Sequence, residues 1–259
     1  MNPEFIKSIN TAEASDGEFF IVNFGAKSEI KIFFEKTACD WVWNYKYQYR
    51  QDVLQIKEDI DTTLDTNKIA LINYFFTFII DDISSLNSHI SPKIKTVLDI
   101  GAGLGLFNLF LNQVITHKVS FDLIEVEKLE SIEHVTNNPE ITQKLDANVQ
   151  INPVDTLRKL MIKNNADNIN VIKNTSIHEH LNKEYDLVLS FRSWGFLYDL
   201  DLYKEFVKKT LTSDGVVITN LTTHDDSIEK FTDLFDEVIL INEFPNNKRF
   251  LGRNLKKHL

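Results

Sequence analysis

The sequence has few of the residues that cross-link or interrupt a fold. It contains one cysteine, Cys39, which excludes an intramolecular disulfide and a cysteine-rich zinc cluster. Its eight glycines and five prolines are few for 259 residues, so a low-complexity or collagen-like chain is excluded as well. The hydrophobic share of 43% is typical of a globular protein. Because a lone thiol fits a reducing compartment, we expect a cytoplasmic location.

Basic residues are also in the minority, with 28 Lys and Arg against 38 Asp and Glu and a formal net charge of -10. Because this charge repels a phosphate backbone, we expect no nucleic-acid partner. The N-terminus lacks the basic stretch and apolar run of a secretory signal. The most apolar segment, 69–80, ends at Asp81-Asp82 and is shorter than the roughly 18 apolar residues of a membrane span. We therefore expect a buried helix and no membrane span.

The first third of the chain has a pattern of its own. Residues 18–35 contain two β-prone runs joined by a short loop with Gly25, which predicts a β-hairpin. Residues 35–60 and 65–88 are rich in helix formers and lack Pro and Gly, which predicts two helices. Ser91-Pro92 then interrupts the pattern. The sequence therefore predicts an extension over 1–92 and a main domain over 93–259.

The main domain alternates short apolar runs with helical patterns. This alternation is typical of parallel strands joined by crossover helices, that is, of an α/β fold. No clear pattern covers residues 130–153, where we expect an insertion. We predict strands at 96–100, 119–124, 169–173, 185–190 and 215–219, helices at 104–115, 156–163, 201–210 and 227–235, and a terminal antiparallel hairpin at 237–244 and 248–255.

A glycine-rich loop follows the first of these strands, in the stretch VLDIGAGLG over residues 97–105. Gly101, Gly103 and Gly105 permit positive φ angles and bring no Cβ, so a ligand can approach the backbone at the start of the next helix. A dinucleotide fingerprint, G-x-G-x-x-G, does not fit, because position 106 is leucine. The spacing therefore disfavours a dehydrogenase.

The pattern D-x-G-x-G-x-G resembles motif I of class I S-adenosylmethionine-dependent methyltransferases, and the resemblance covers residues 95–255. It implies a Rossmann-like seven-stranded sheet with helices on both faces and S-adenosyl-L-methionine as cofactor. Asp99 would hold the methionine end through its amino group, and Glu125, or Glu127 if the strand is longer, would accept the ribose hydroxyls. The other cofactor-binding residues implied are Gly101, Ala102, Gly103 and Gly105 in the loop and Thr175, Ser176 and Ile177 beside the adenine.

Candidate acceptor residues follow the predicted strand ends, where open α/β sheets bind their ligands. The segment SFRSWGFLYDLDLY, from residue 190, is similar to one in bacterial sugar O-methyltransferases of surface-polysaccharide pathways. By this resemblance Arg192 pairs with a carboxylate and Trp194 stacks on a ring; alternatively, Trp194 packs against the next helix. His224 is our candidate general base, and a solvated loop residue is its alternative. His178 and His180 are expected at the surface.

Several functions agree with these features. The first hypothesis is O-methylation of a small-molecule acceptor such as a sugar or sugar-nucleotide. An N- or protein methyltransferase and a non-catalytic cofactor-binding module that stabilises a partner are the alternatives. We expect no metal site, because the side chains of adjacent pairs such as Asp225-Asp226 diverge on regular elements. The N-terminal extension is expected to cap the acceptor pocket or to mediate a homodimer.

Overall fold

The computed structural model describes the backbone of residues 9–13, 19–24 and 28–33, and residues 79, 82–83, 85–86, 89–115, 117–125, 153–191, 193–196, 198–223, 225–244 and 247–256. Three of the strands form a small antiparallel sheet near the N-terminus: β1 (Ile9–Glu13), β2 (Phe19–Phe24) and β3 (Ser28–Phe33). The pairing of β2 with β3 confirms the predicted hairpin. Strand β1 was not predicted.

A seven-stranded mixed sheet forms the rest of the described fold. Its strands lie in the order β6-β5-β4-β7-β8-β10-β9. The first five are parallel, and β10 lies antiparallel to both β8 and β9. The bounds are β4 (Thr96–Ile100), β5 (Ser120–Glu125), β6 (Ile169–Lys173), β7 (Tyr185–Ser190), β8 (Leu211–Thr222), β9 (Phe235–Phe244) and β10 (Asn247–Leu255).

The described connections between these strands include four α-helices: α1 (Leu106–Val114), α2 (Pro153–Lys163), α3 (Asp201–Thr210) and α4 (Ser227–Leu234). Helices α1 and α2 contribute to one buried cluster with alternate strand residues such as Val97 and Leu123. Helices α3 and α4 contribute to a second cluster with the intervening strand residues, such as Leu98 and Val188. Because alternate residues of a strand face opposite sides of a sheet, the helices cover both faces. The predicted Rossmann-like α/β fold is confirmed.

The central strands are buried on both faces. In β4 every residue after Thr96 is buried, and in β5 every residue after Ser120 is buried. Continuous apolar runs of this kind are typical of parallel sheets covered on both sides. Their parallel direction brings the carboxyl ends of β4, β5, β6, β7 and β8 to one edge of the sheet, which we call the carboxyl edge.

Part of the N-terminal extension packs on this domain. Residues 79, 82, 83, 85 and 86 are helical. Ile79, Ile83 and Leu86 are buried in the cluster that contains α1 and α2. Their spacing is that of the buried face of a helix. The predicted helix at 35–60, most of the one at 65–88, all but the last residue of the segment 130–153, and Cys39 lie outside the described residues. The domain boundary at residue 92 stays a prediction.

Within the described part of the chain, no helix has the length and hydropathy needed to cross a membrane.

Candidate functional site

The glycine loop connects β4 to α1 at the carboxyl edge. All three glycines have positive φ angles: 74° at Gly101, 59° at Gly103 and 62° at Gly105. The backbone N–H groups of Gly101 and Ala102 donate to the Ile124 carbonyl at 2.8 and 3.2 Å. Because L-residues with a Cβ rarely adopt these angles, the loop favours glycine at each of the three positions.

Two of the glycines are also required by close packing. A Cβ on Gly101 would collide with the side chain of Ser193, which follows β7. A Cβ on Gly105 would lie 2.6 Å from Leu157 Cδ1 and 2.9 Å from Leu123 Cδ1. Gly105 therefore lets α1 begin close to the sheet and to α2, while Gly101 lets the chain after β7 approach the loop.

Glu125, the last residue of β5, lies directly beside the loop. Only 7% of its surface is exposed, and its Oε2 accepts a hydrogen bond from the Gly103 N–H at 2.6 Å. A charge-assisted bond of this length is among the stronger hydrogen bonds in proteins. The carboxylate therefore holds the loop and lies at the strand end where the sequence analysis expects the ribose. Glu127, the alternative, is outside the described residues.

Asp99 lies under the loop, in β4, and is almost fully buried. Its Oδ2 accepts a hydrogen bond from Asn108 Nδ2 at 2.6 Å. Burial raises the pKa of Asp99 from 3.8 to about 7, although the bond from Asn108 acts in the opposite direction. A carboxylate that is buried with one neutral partner is well suited to bind a cationic group of a ligand.

The predicted adenine residues lie in a short 3₁₀-helix, Asn174–His180, directly after β6. Thr175 is exposed, Ser176 is half-buried, and Ile177 is buried in the core cluster with α3 and α4. Thr175 and Ser176 can therefore contact a ligand at this end of the sheet, whereas Ile177 supports them from below.

The described residues include four buried side-chain polar atoms with no hydrogen-bond partner, and all four lie at the carboxyl edge. They are Asn108 Oδ1, Asn174 Oδ1, Ser193 Oγ and Asn247 Oδ1. Burying a polar atom without a partner costs about 1–3 kcal/mol. Their clustering at one edge favours a polar ligand there that supplies the missing partners.

Asn108, Asn174 and Asn247 were not predicted from the sequence, whereas Ser193 belongs to the predicted acceptor segment after β7. Asn108 is in the first turn of α1, Asn174 directly follows β6, Ser193 contacts the glycine loop, and Asn247 pairs in register with Thr222 at the end of β8. Asn174 could have been found from its position at the end of a predicted strand. Asn108 and Asn247 depend on contacts between distant parts of the chain.

No family model and no curated protein matches this sequence. Solved structures match it at low identity. A StiE O-MT chain is 16% identical over 61% of this chain, with a TM-score of 0.42; this chain spans about half of that one, 52%. Precorrin-6y C5,15-methyltransferase from Geobacter metallireducens GS-15 is 17% identical over 64% of this chain and 83% of its own, with a TM-score of 0.43. An RNA methyltransferase from Salinibacter ruber, in complex with S-adenosyl-L-homocysteine, is 12% identical over 66% of this chain and 88% of its own, with a TM-score of 0.39. Identities and TM-scores this low identify neither a family nor an activity for this chain.

The acceptor side of the site is partly described. Arg192 and His224 lie outside the described residues. Trp194 is fully buried among core side chains, and its Nε1–H donates to the Leu200 carbonyl at 2.7 Å. Its backbone N–H donates to Ser190 Oγ at 2.8 Å. A ring with no exposed surface has no face available to a substrate, so this geometry favours the packing alternative for Trp194.

An aromatic pair lines the same side. Phe191, the first residue after β7, is half-buried. Its ring meets that of Phe107, in the first turn of α1, edge-on with centroids 4.8 Å apart. The two rings therefore link the end of β7 to the helix that begins at the glycine loop. Among the residues that the structure describes, no group of three or more His, Cys, Asp or Glu side chains could hold a metal ion.

Proposed function

We propose that this chain is an S-adenosylmethionine-dependent methyltransferase. The observation that carries the proposal is the glycine loop itself. Three glycines with positive φ lie between β4 and α1, and Oε2 of the buried Glu125 carboxylate, at the next strand end, accepts a hydrogen bond from the Gly103 N–H. The sheet order supports the proposal, because it matches the seven-strand order expected from the resemblance.

The residues present fit the proposed cofactor at three points along the carboxyl edge. The Glu125 carboxylate has two oxygens, so it can accept ribose hydroxyls while it holds Gly103. Asp99 and the unpartnered Asn108 Oδ1 suit a ligand ammonium group, which donates three hydrogen bonds. The unpartnered Asn174 Oδ1, beside Thr175 and Ser176, suits an amino group of a base.

When bound, S-adenosylmethionine supplies a methyl group on a sulfonium, which is a strongly activated leaving group. Much of the protein's task is then to orient the two reactants and to exclude water. Asp99 and Glu125 would fix the two ends of the cofactor on the sheet. Phe191 and Phe107, which meet beside the loop, would exclude water from the side where the acceptor enters.

We propose a small-molecule oxygen acceptor, such as a sugar or sugar-nucleotide, because of the resemblance of the segment after β7. His224 follows the end of β8 by two residues, a position from which a general base could remove the acceptor's proton. Arg192 is our candidate partner for a carboxylate. The net charge of -10 agrees with a small acceptor better than with a nucleic acid.

Cofactor binding is tested by calorimetry with S-adenosylhomocysteine and with its 2′-deoxyribose analogue. We expect the native protein to lose roughly 10- to 100-fold in affinity when the hydroxyl is absent, because a hydrogen bond to a charged group contributes about 1.5–3 kcal/mol. Glu125→Gln retains an acceptor for Gly103 but loses the charge, so it should discriminate less between the two ligands. Glu243→Gln, at an exposed position in β9, is the matched control.

The proposal fails if titration of the native protein with S-adenosylhomocysteine gives no saturable heat and no thermal shift. Transfer of a labelled methyl group to a metabolite extract separates an enzyme from a non-catalytic binding module. The labelled product then identifies the acceptor. We expect His224→Ala to abolish most of this transfer while S-adenosylhomocysteine still binds.

A further inference from the structure

A buried arginine lies at the carboxyl edge, outside the residues assigned to the cofactor. Arg249, in β10, is 1% exposed. Its Nε donates to Asn220 Oδ1 in β8 at 2.7 Å. Its Nη1 donates to Ser85 Oγ at 2.8 Å, and its Nη2 donates to Asp82 Oδ1 at 2.6 Å. A single side chain thus joins the sheet to the N-terminal extension.

The same guanidinium lies on an aromatic ring of the candidate site. Its central carbon is 4.4 Å from the centroid of Phe191 and 5.3 Å from that of Phe244. Phe191 in turn contacts Phe107 in the first turn of α1. Contacts therefore run from Asp82 through Arg249 to Phe191. They continue through the ring of Phe107 to the helix that starts at the glycine loop.

Two hydrogen bonds from Arg249 hold the polar face of the helical segment that contains Asp82 and Ser85. Its apolar face, Ile79, Ile83 and Leu86, packs into the core. Asp82 and Ser85 are half-buried, and Ser85 Oγ also donates to the Asp82 carbonyl at 2.7 Å. Replacing Arg249 by a neutral residue would leave the Asp82 carboxylate without its cationic partner, which is costly for a charge that is partly buried. The network therefore favours one arrangement of these side chains.

We propose that Arg249 is a positioning residue that makes Asp82, Ser85 and Phe191 one wall of the ligand site, coupled to the glycine loop. The inference rests on the proposed function and deepens it, because it assigns the acceptor side to a wall shared by the sheet and the N-terminal extension. A ligand that fixes the loop and the start of α1 then also stabilises the extension, through the rings of Phe107 and Phe191.

The test is amide hydrogen exchange with and without S-adenosylhomocysteine. In the native protein, we expect the ligand to slow exchange in peptides covering residues 79–90 by about fivefold or more, the lower range of coupling between sites. Arg249→Lys keeps the charge, but one ammonium cannot replace a planar guanidinium that bonds three side chains and lies on a ring. We expect this variant to lose the ligand-induced protection at 79–90 and, because coupling between two sites is reciprocal, to bind S-adenosylhomocysteine more weakly by a similar factor of about fivefold.

Arg253→Lys is the matched control, since Arg253 lies in the same strand and pairs with Glu237 at the surface. It should retain the protection. Ser85→Ala and Asp82→Asn, which leave Arg249 bonded to Asn220, should weaken the protection and serve if Arg249→Lys does not fold. The inference is overturned if the ligand binds the native protein without slowing exchange at 79–90, or if Arg249→Lys keeps the effect. Absence of any binding would instead overturn the proposed function.

Discussion

Replacing Asp99 by asparagine should stabilise the protein and weaken its binding of the cofactor. In the folded state, burial raises the pKa of Asp99 from 3.8 to about 7. Between these two pH values the unfolded chain releases the proton while the folded chain retains it. The stability that this group contributes is therefore fully present below about pH 4 and is lost as the pH rises towards 7. Asparagine cannot ionise, so it removes this loss.

The size of the effect follows from the two pKa values. Each pH unit between them corresponds to about 1.4 kcal/mol, so the loss in the native protein approaches about 4 kcal/mol above pH 7. The gain from Asp99→Asn should therefore be as much as about 4 kcal/mol at pH 8, fall to about 2 kcal/mol at pH 5, and vanish below pH 4. The new amide can still accept a hydrogen bond from Asn108 Nδ2, and its own NH₂ group can donate to the unpartnered Asn108 Oδ1.

Urea unfolding at pH 5 and pH 8 measures this difference directly. Asp214→Asn, at an exposed position in β8, is the matched substitution and should change little at either pH. The reasoning is refuted if Asp99→Asn is no more stable than the native protein at pH 8, or if its gain is the same at both values.

The same variant, Asp99→Asn, tests whether the buried carboxylate, despite its cost in stability, serves to bind the ligand. If Asp99 binds the amino group of the methionine tail, Asp99→Asn should reduce affinity for S-adenosylhomocysteine by roughly 10- to 100-fold, because it removes a hydrogen bond to a charged group. 5′-Methylthioadenosine lacks that tail, so its affinity should change little. A gain in stability accompanied by a loss of binding is the usual compromise at a functional site.

Two further substitutions test the packing around the site. Gly105→Ala should destabilise the protein by about 3 kcal/mol, because the new Cβ adds left-handed strain and overlaps Leu157 and Leu123; thermal unfolding measures the loss, and an unchanged melting temperature would contradict the geometry of the loop. Trp194→Phe should cost about 1–3 kcal/mol, because the Leu200 carbonyl loses its buried donor, yet leave affinity for S-adenosylhomocysteine unchanged in calorimetry. A large loss of affinity without a loss of stability would instead support a ligand-contacting role for Trp194.

The main domain could be predicted closely from sequence because its strands are buried on both faces. Strands 96–100, 169–173 and 185–190 have the predicted bounds, since short apolar runs between polar residues leave little choice of register. Strand β8 is longer than predicted. It begins at Leu211, whereas Asp214 and Gly215 disfavour a strand in local propensity. Leu211 pairs with Tyr185 of β7, and the register then shifts so that Leu187 pairs with Val216, which leaves the polar and glycine positions of β8 between the paired ones.

Residues defined by contacts between distant positions could not be predicted. Arg249 and Asp82 are 167 positions apart, and neither has a local pattern that identifies a partner. Asp82 also belongs to an adjacent acidic pair, which in the sequence marks only the end of an apolar segment. The glycine loop was predictable for the opposite reason. Its chemistry depends on a contiguous stretch, in which backbone freedom and the following helix are both encoded locally.

The Glu125 carboxylate shapes the glycine loop through its bond to Gly103 without any ligand. If it also binds the cofactor ribose, as proposed, the site is organised in advance and little conformational entropy remains to be lost on binding. The bond also restricts which substitutions the position tolerates. Glutamine preserves the shape without the charge, whereas aspartate preserves the charge but is one methylene too short to reach the loop, so the shorter acid should be the more damaging of the two.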